Sequence, residues 1–320
     1  MSYQPLFTIT SKMLNLVSEI TEALTKIEST QNSSITPYLR RTNRIKILAG
    51  TLEIEGNFLG EEKITAILDG KRVLGSVREL AEVDGAIKAY EKFEEYCYDS
   101  LDDLLQAHKI LMNGILTTAG AFRRVNVGVG SENGVSHVAP PHERVPELMS
   151  DLFEWLKNSD DHPLIKSSVF HYEFEFIHPF SDGNGRIGRL WQSVILYNYK
   201  SIFSSVATES IVRDYQDRYY KALEDSGELG QSTPFIEFML EVIFEAIKNV
   251  PNDVSKNVPK GREVSILNLI AENSKVTVKE LALKFEVNEK TIKRDLEKLK
   301  EENKIKRIGS ARSGYWEVIK

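Results

Sequence analysis

Hydrophobic residues recur every three or four positions along most of the chain, the period that predicts amphipathic helices. Between residues 11 and 29, for example, Met13, Val17, Ile20 and Leu24 fall on one helical face. The same period predicts helices in the segment that opens at Thr36-Pro37 and in residues 76–96, 101–116, 146–156, 163–177, 211–223 and 235–247. The chain is therefore predicted to be mainly α.

One stretch departs from the helical period. Residues 122–130 alternate between apolar and polar at the strand period, residues 131–134 have turn composition, and residues 135–138 can return as a second strand. A two-stranded ribbon on a helical body leaves a strand edge that natural folds usually protect. The pattern predicts a β-hairpin that is either a plain surface feature or a platform for an incoming extended segment.

The C-terminal part has its own pattern. Residues 250–261 are polar, with two prolines and a glycine, and predict a linker. Beyond the linker the sequence predicts helices over 263–272, 278–285 and 289–302, then strands over 305–308 and 315–319. This order is typical of a winged helix-turn-helix.

Several side chains of this last segment suit contacts with nucleic acid phosphates. They are Lys290, Thr291, Lys293 and Arg294 on the third helix and Arg307 and Arg312 on the wing. The same helix carries five acidic residues, so a module that docks proteins or dimerises is an equal alternative to a DNA-binding one.

Composition and charge narrow the classes of protein. Of the 320 residues 41% are hydrophobic, and no apolar run is long enough to span a membrane. Residues 1–10 lack the regions of a signal peptide, so a cytoplasmic location and no membrane partner are expected. Cys97 is the only cysteine, which excludes intrachain disulfides. Residues 261–320 hold 14 Lys and Arg against 10 Asp and Glu, whereas the preceding residues hold 27 against 37.

The densest run of candidate chemistry lies in residues 178–189. Pro179 ends the apolar run before it, and a helical pattern resumes after Gly185. Residues 183–185 are therefore expected at a helix N-terminus, where free N–H groups and the helix dipole favour an anion.

Each residue type in this run has a chemical interpretation. His178 suits a general base near neutral pH, and Asp182 is an oxygen ligand of the kind Mg²⁺ prefers. Arg186 and Arg189, three apart on one helical face, can both reach a polyphosphate. Together they predict phosphoryl or nucleotidyl transfer to a hydroxyl, against the alternative of a glycine-rich turn with solvated arginines.

The run from His178 to Arg189 resembles the signature of the Fic family, H-x-F-x-[D/E]-G-N-G-R-x-x-R, at every specified position. The resemblance implies a Fic-type helical bundle with a β-hairpin flap and a Mg²⁺- and ATP-dependent protein adenylyltransferase. His178 would be the catalytic base, and Asp182 the metal ligand. The nucleotide phosphates would be bound by Gly183, Asn184, Gly185, Arg186, Ile187, Gly188 and Arg189. The flap would align a Tyr, Thr or Ser hydroxyl of the target protein.

The resemblance extends to a second motif. Thr51, Glu55 and Gly56 fit [S/T]-x-x-x-E-[G/N], the inhibitory motif of many Fic proteins. In those proteins the glutamate pairs with the second signature arginine, here Arg189, and competes with the γ-phosphate. From local pattern alone, Glu55 would be a solvated carboxylate at a helix end.

A third feature concerns the nucleobase. The family's "YY-x-A-L" helix matches Tyr219 and Tyr220, and these tyrosines with Gln216 are expected near the adenine. Core packing explains the tyrosines equally well. His108, among apolar positions, is expected to be a core or helix-end histidine.

The predicted domains are an N-terminal helical region with the inhibitory helix (1–98), a Fic catalytic core (99–249), a linker (250–261) and a winged helix-turn-helix (262–320). Two other functions stay open: hydrolytic removal of AMP from a modified protein, and a DNA-binding regulator in which the Fic core is a sensor. A homodimer is compatible with the sequence, which does not decide the oligomeric state.

Overall fold

A computed structural model of the chain describes residues 3–30, 37–131, 134–257, 261–285, 287–309 and 314–319. The chain divides into two compact units, Met1–Val250 and Pro251–Lys320. The mainly α fold with hairpins is confirmed. Predicted features at Thr36, at Glu132 and Asn133, at residues 258–260 and at Arg312 lie outside the described residues.

Helices and one hairpin form the first unit, whose last helix, α11, continues in sequence past the unit's boundary at Val250. The helices are α1 (Ser11–Thr30), α2 (Pro37–Ile54), α3 (Gly60–Leu68), α4 (Val77–Glu91), α5 (Leu101–Leu111), α6 (Val145–Asn158), α7 (Pro163–Ile177), α8 (Asn184–Tyr199), α9 (Thr208–Asp214), α10 (Gln216–Leu229) and α11 (Thr233–Asn257), with short 3₁₀ turns at His142–Arg144 and Ser201–Ser205. The strands β1 (Gly128–Ser131) and β2 (Gly134–Val138) pair antiparallel, with an irregularity between Val129 and Gly130.

The centre of this unit is the pair α7 and α8, which pack directly against each other. Phe170 and Phe174 of α7 and Trp191 of α8 are fully buried, as is Phe180 in the loop between the helices. Helix α8 is buried along most of its length, and its buried residues include polar ones such as Arg186 and Arg189. The pair therefore presents the connecting loop on a rigid base.

Helix α2 is also a core element, because Leu48 and Leu52 are buried and the helix lies along α9. At Gly50 the two helices approach so closely that a β-carbon would lie 2.8 Å from main-chain atoms of Glu209. Asn43 Nδ2 of α2 also donates to Ser205 O at 2.7 Å. The helix that carries Glu55 at its C-terminal end is thus fixed by main-chain packing.

We expect Gly50→Ala to destabilise the protein by about 1–3 kcal/mol, since the added methyl group forces α2 and α9 apart. Gly227→Ala is the matched control, because a β-carbon there meets no atom within 4 Å and Gly→Ala in an open helical position is stabilising. Thermal unfolding followed by circular dichroism measures both. Equal melting temperatures for the two variants would contradict the close approach.

Two helices occupy the segment where the sequence predicts one over residues 211–223, so that prediction is wrong. Tyr215 separates α9 from α10, at φ −116° and ψ 35°. Its N–H still donates to Ile211 O, and Tyr219 N–H donates to Tyr215 O. Because these bonds keep the helical spacing across the break, the hydrophobic period gives no sign of it.

The first predicted strand, over residues 122–130, is shorter than expected, because β1 begins only at Gly128. The N–H of Arg123 donates to Pro179 O at 2.9 Å instead of to a partner strand. Other boundaries moved less: α4 ends at Glu91 and α5 at Leu111, and α3 was not predicted.

The predicted linker is partly helical. Helix α11 continues through Pro251 to Asn257, so the first part of this segment is helical, which the sequence did not predict. Proline removes one intrahelical hydrogen bond and disfavours a helix, yet a helix that is already formed extends at a lower cost than a new one.

The second unit has three helices and a hairpin. They are α12 (Gly261–Glu272), α13 (Val278–Lys284), α14 (Glu289–Glu301), β3 (Ile305–Ile308) and β4 (Tyr315–Val318). Thr277 and Glu280 form a reciprocal capping box at the start of α13. A separate core of buried residues, including Ile266, Leu296 and Trp316, holds the elements together. The predicted winged helix-turn-helix is therefore confirmed.

Within the described parts of both units, no helix is long and apolar enough to cross a membrane.

Candidate active site

His178 lies at the end of α7 in an unusual backbone conformation. Its φ of 50° and ψ of 60° are left-handed, while its N–H still donates to Phe174 O at 2.9 Å. Among the described non-glycine residues only Asn303 shares a positive φ. A non-glycine residue in this region is strained, and the surrounding structure has to hold it there. The chain thus turns sharply from α7 into the loop before α8.

The loop between α7 and α8 is held by two hydrogen bonds of the side chain of Asn184, the first residue of α8. Its Nδ2 donates to Phe180 O at 2.9 Å, and its Oδ1 accepts from Phe180 N–H at 2.9 Å. Gly183 has a φ of 84°, and a β-carbon there would lie 2.6 Å from the Met112 sulfur. Only glycine satisfies both demands. The buried side chain of Asn184 therefore fixes the shape of the loop at residues 183–185, the predicted anion site, which we call the cradle.

The two carboxylate oxygens of Asp182 have different hydrogen-bond partners. Its Oδ1 accepts from Gly183 N–H at 2.6 Å and from Arg186 Nη2 at 3.2 Å. Its Oδ2 accepts from Arg78 Nη2 at 3.2 Å, and the Arg78 side chain is 67% exposed. The contacts of Oδ1 thus fix the orientation of the carboxylate. Oδ2 pairs with the exposed Arg78 side chain, which can be displaced. This donor fits Mg²⁺, which binds proteins through one or two carboxylates and takes its remaining ligands from phosphates and water.

His108, which the sequence placed in the core, supports the same loop. Its Nδ1 accepts from Gly120 N–H at 2.9 Å, so its Nε2–H donates to Asp182 O at 3.0 Å. The ring stacks on Phe180 with 3.6 Å between centroids. Burial lowers the pKa of His108 to about 4, which keeps the ring neutral. The sequence gave no sign of the contact with Asp182, because 74 residues separate the two.

Glu82 of α4 is another residue that the sequence analysis missed. Its Oε1 accepts from Arg78 Nε at 3.0 Å and lies 3.6 Å from Arg186 Nη1. Its Oε2 accepts from Asn57 Nδ2 at 2.9 Å. Glu82 therefore connects the first signature arginine to the segment that follows Glu55. An acidic residue in a helix one turn after an arginine gives no local hint of such a role.

The second signature arginine, Arg189, is almost fully buried and is held by α2. Its Nη2 donates to Glu55 Oε1 at 2.7 Å, its Nε donates to Thr51 Oγ1 at 3.1 Å, and its Nη2 also donates to Thr51 O at 3.2 Å. Burial acts to lower the pKa of the guanidinium, but Glu55, with smaller contributions from Tyr219 and Glu175, outweighs this effect, so the pKa is raised. Thr51 and Glu55 of the second motif thus both contact the predicted phosphate ligand.

The Glu55 carboxylate also lies against the first turn of α8. A β-carbon at Gly185 would be 2.4 Å from Glu55 Oε1. An anionic group therefore already occupies the position where helix dipole and guanidinium both favour negative charge.

Two neighbouring contacts hold the end of α2 in this position. Gln216 Nε2 donates to Ile54 O at 3.0 Å, and Arg213 Nη1 pairs with Glu53 at 3.0 Å. Gln216, predicted near the nucleobase, thus satisfies a terminal carbonyl of the helix that carries Glu55.

The two predicted nucleobase tyrosines differ in exposure. Tyr219 is 2% exposed, and its hydroxyl lies 3.1 Å from His171 Nε2. Tyr220 is 49% exposed and stacks edge-on against Tyr219. Of the two rings, only that of Tyr220 offers a surface to a ligand without rearrangement. Ile187 and Gly188 are buried, and Gly188 packs against the Glu175 side chain.

The carboxyl group of Glu175 in α7 is largely buried and lies next to Gly188 of α8. Burial raises its pKa to about 8, and the Glu55 carboxylate contributes to the rise. His171, 3.9 Å away, is kept neutral, because burial lowers its pKa to about 3.

We expect Glu175→Gln to flatten the pH dependence of stability. Because the folded pKa of about 8 lies above the ordinary 4.5, the folded protein holds a proton that the unfolded chain releases. This contribution is fully present below pH 4.5 and is lost as the pH rises through 8. Melting temperatures between pH 5 and 8.5 should fall more steeply for the unsubstituted protein than for the variant. Parallel slopes would contradict the assignment.

Comparison with known proteins agrees with this geometry. The Fic/DOC family model matches residues 98–196, and the model of a DeoR-like helix-turn-helix domain matches residues 262–313. The fold and the two matches thus define a mainly helical protein of the Fic/DOC type with an appended DeoR-like helix-turn-helix domain.

A solved structure extends the match to nearly the whole chain. The crystal structure of a Fic family protein from Desulfovibrio desulfuricans G20 is 38% identical, with a TM-score of 0.77, and the match covers 99% of this chain and 98% of that one. The chain belongs to the Fic family.

More distant relatives carry an activity in their names. Protein adenylyltransferase fic-1 of Caenorhabditis briggsae is 30% identical over 288 residues, which is 85% of this chain and 53% of that protein. The chain therefore spans about half the length of this curated relative. A structure of C. elegans Fic-1 (residues 134–508) shares the fold, with a TM-score of 0.61 at 23% identity over 77% of this chain and 72% of that one.

Proposed function

We propose that the protein is a Mg²⁺- and ATP-dependent protein adenylyltransferase that transfers AMP to a Tyr, Thr or Ser hydroxyl and is held inactive by Glu55. The observation that carries the proposal is the ion pair of Glu55 with Arg189 against Gly185. An anion site that is closed by a carboxylate from another helix is the expected resting form of a polyphosphate site. The names of the relatives support the same activity.

In this mechanism the chain contributes charge and orientation. The amides of Asn184 and Gly185, with Arg186 and Arg189, bind the triphosphate and stabilise the charge that develops on it, while Gly183 N–H donates to Asp182. The hydroxyl oxygen attacks the α-phosphorus, the bond to the bridging oxygen breaks, and pyrophosphate leaves. His178, in the left-handed turn between α7 and the start of α8, accepts the hydroxyl proton.

Asp182 is the proposed ligand of the Mg²⁺ ion. A bound Mg²⁺ would neutralise negative charge on the triphosphate. Oδ2 of Asp182 would ligate it, while Gly183 N–H and Arg186 keep Oδ1 in place. The exposed Arg78 side chain, which now contacts Oδ2, would have to leave it and could keep its second contact with Glu82.

The position of the radioactive label in ATP tests the reaction type. The full-length Glu55→Gly protein is incubated with Mg²⁺, lysate proteins and either α-³²P-ATP or γ-³²P-ATP. We expect label on protein from α-³²P-ATP only. Label from γ-³²P-ATP alone would mean phosphoryl transfer and would overturn the proposal, as would no labelling from either.

A second candidate function concerns the C-terminal unit. Lys290, Lys293 and Arg294 are exposed and lie on one face of α14, in its N-terminal half. In contrast, Lys298 and Lys300 of the same helix pair with Glu263 and Glu297. Exposed cations on the third helix of a DeoR-like module favour DNA binding as an additional function.

We expect the full chain to bind duplex DNA with an affinity that falls steeply as salt rises from 50 to 200 mM, because cations on the protein release counterions from DNA. Replacing Lys290, Lys293 and Arg294 by alanine should weaken binding at least tenfold by fluorescence anisotropy. The matched Lys298→Ala, Lys300→Ala protein should bind within threefold of the parent. No binding at 50 mM salt would leave the unit as a protein-docking or dimerising module.

A further inference from the structure

Arg123, just before the β1–β2 hairpin, has an unusually complete set of main-chain contacts. The residue is 3% exposed. Its Nε donates to His178 O at 2.8 Å, its Nη1 to Val125 O at 2.9 Å, and its Nη2 to Pro140 O at 2.5 Å and Ile177 O at 3.3 Å. Four of the five guanidinium N–H groups thus meet carbonyl oxygens.

These four carbonyls belong to two places in the fold. Ile177 and His178 form the C-terminal end of α7, where helix carbonyls lack intrahelical partners. Val125 and Pro140 lie on the two legs of the hairpin, just outside β1 and β2. The main-chain N–H of Arg123 adds a bond to Pro179 O at 2.9 Å. One side chain therefore joins both legs of the hairpin to the turn that carries His178.

A guanidinium suits this task better than any other side chain. Its five donors lie in one rigid plane, so they fix the directions as well as the distances of several acceptors. Its positive charge also stabilises the negative end of the α7 dipole. A lysine would supply three donors from a single point and could not span both groups of carbonyls.

We propose that Arg123 is a positioning residue that fixes the hairpin relative to His178, so that an acceptor segment paired with the hairpin presents its hydroxyl at a set distance from the imidazole. The inference rests on the proposed adenylyl transfer. It adds that the acceptor platform and the base move as one body and that a buried arginine, distinct from the signature, couples them. Binding of ATP at the N-terminus of α8 does not depend on this coupling.

The test compares Arg123→Lys and Arg123→Met with Arg124→Met, all in the Glu55→Gly protein. Arg124 is the neighbouring, exposed arginine and controls for loss of charge at this position. Initial rates of label transfer from α-³²P-ATP to lysate proteins are measured against ATP concentration. Hydrogen exchange of the hairpin legs and of residues 177–180 is measured on the same proteins.

For both Arg123 variants we expect an apparent KM for ATP within threefold of the parent and a maximal rate that is about 10²-fold lower, because a misplacement of roughly 1 Å between reacting groups costs about that factor. Exchange should accelerate in the hairpin legs and at residues 177–180 together. Arg124→Met should match the parent in all three quantities.

A purely structural role predicts a different result. If the KM for ATP rises in parallel with the loss of rate, or if Arg123→Lys restores the rate, the coupling is overturned. If the Glu55→Gly parent itself transfers no label, the proposed function fails, while the exchange data still decide the coupling: unchanged exchange in the hairpin legs would overturn it.

Discussion

Replacing Glu55 by glycine should raise the rate of AMP transfer by about 10²- to 10³-fold. Glu55 Oε1 accepts from the buried Arg189 at 2.7 Å and lies against Gly185, where the triphosphate of the proposed reaction would need the same guanidinium and the same amides. Two anions cannot share one buried arginine at low cost. A catalytic hydrogen-bond donor of this kind is worth on the order of 10²–10³ in rate, so its release should return about that factor. The measurement is label transfer from α-³²P-ATP to lysate proteins.

The control for this experiment is Glu53→Gly. Glu53 lies on the last turn of the same helix but pairs with Arg213 at 3.0 Å, away from Arg189. Its replacement loosens the helix end equally and leaves Glu55 in place, so transfer should stay within about threefold of the unsubstituted protein. An equal rise in both variants would mean that the loosened helix, and not the removed carboxylate, activates the enzyme.

The same variant separates transfer from the reverse reaction. In a protein that only removes AMP, Glu55 would orient the attacking water, and Glu55→Gly would lose this hydrolysis without gaining transfer. Incubation of a prelabelled substrate with both proteins measures the release of AMP. Transfer by Glu55→Gly is the outcome that favours the adenylyltransferase.

Replacing His178 by alanine in the Glu55→Gly background should lower transfer by at least about 10²-fold, and by up to about 10⁴-fold, the range for loss of a general base. The affinity for ATP should change less than threefold, because the phosphate ligands follow His178 and belong to α8. Initial rates give the first quantity, and isothermal titration with Mg²⁺-ATP gives the second.

His162→Ala is the control for this second prediction. His162 caps the opposite end of α7, where its Nδ1 accepts from Leu164 N–H at 3.3 Å. Its loss weakens the helix start without reaching the catalytic turn, so transfer should persist. If His178→Ala transfers AMP at the parent rate, His178 is not the base.

The sequence predicted a helix correctly where local signals mark both of its ends. It missed a feature where no local signal exists or where the signal points the other way. Helix α7 occupies residues 163–177 as predicted, since its apolar run is bounded by prolines at both ends. The break at Tyr215 was missed because the hydrogen-bond spacing continues across it. The helix through Pro251 was missed because local propensity opposes it, while α11 ahead of it supplies an already formed helix.

The residues of the candidate site also divide into those that the sequence identified and those that it missed. The run from His178 to Arg189 could be found because the residues that shape an anion cradle must be neighbours in the chain, and the turn into a helix N-terminus is itself a local structure. The supporting residues His108, Glu82 and Arg123 could not be found, because each acts on the loop from a distant segment.

The sequence by itself thus determined the helical character of the chain, its two-part organisation in outline and the position of the signature, since each depends on spacing between near neighbours. The contact of Glu55 with Arg189, 134 residues further along, was available beforehand only as an implication of the family resemblance, and the tertiary structure shows it directly. Only the tertiary structure revealed that one buried arginine ties the hairpin to His178. The physical reason is that packing of α2 on α9 and the closing of the α7–α8 turn bring these groups together, and no periodicity of a single segment encodes a contact between two.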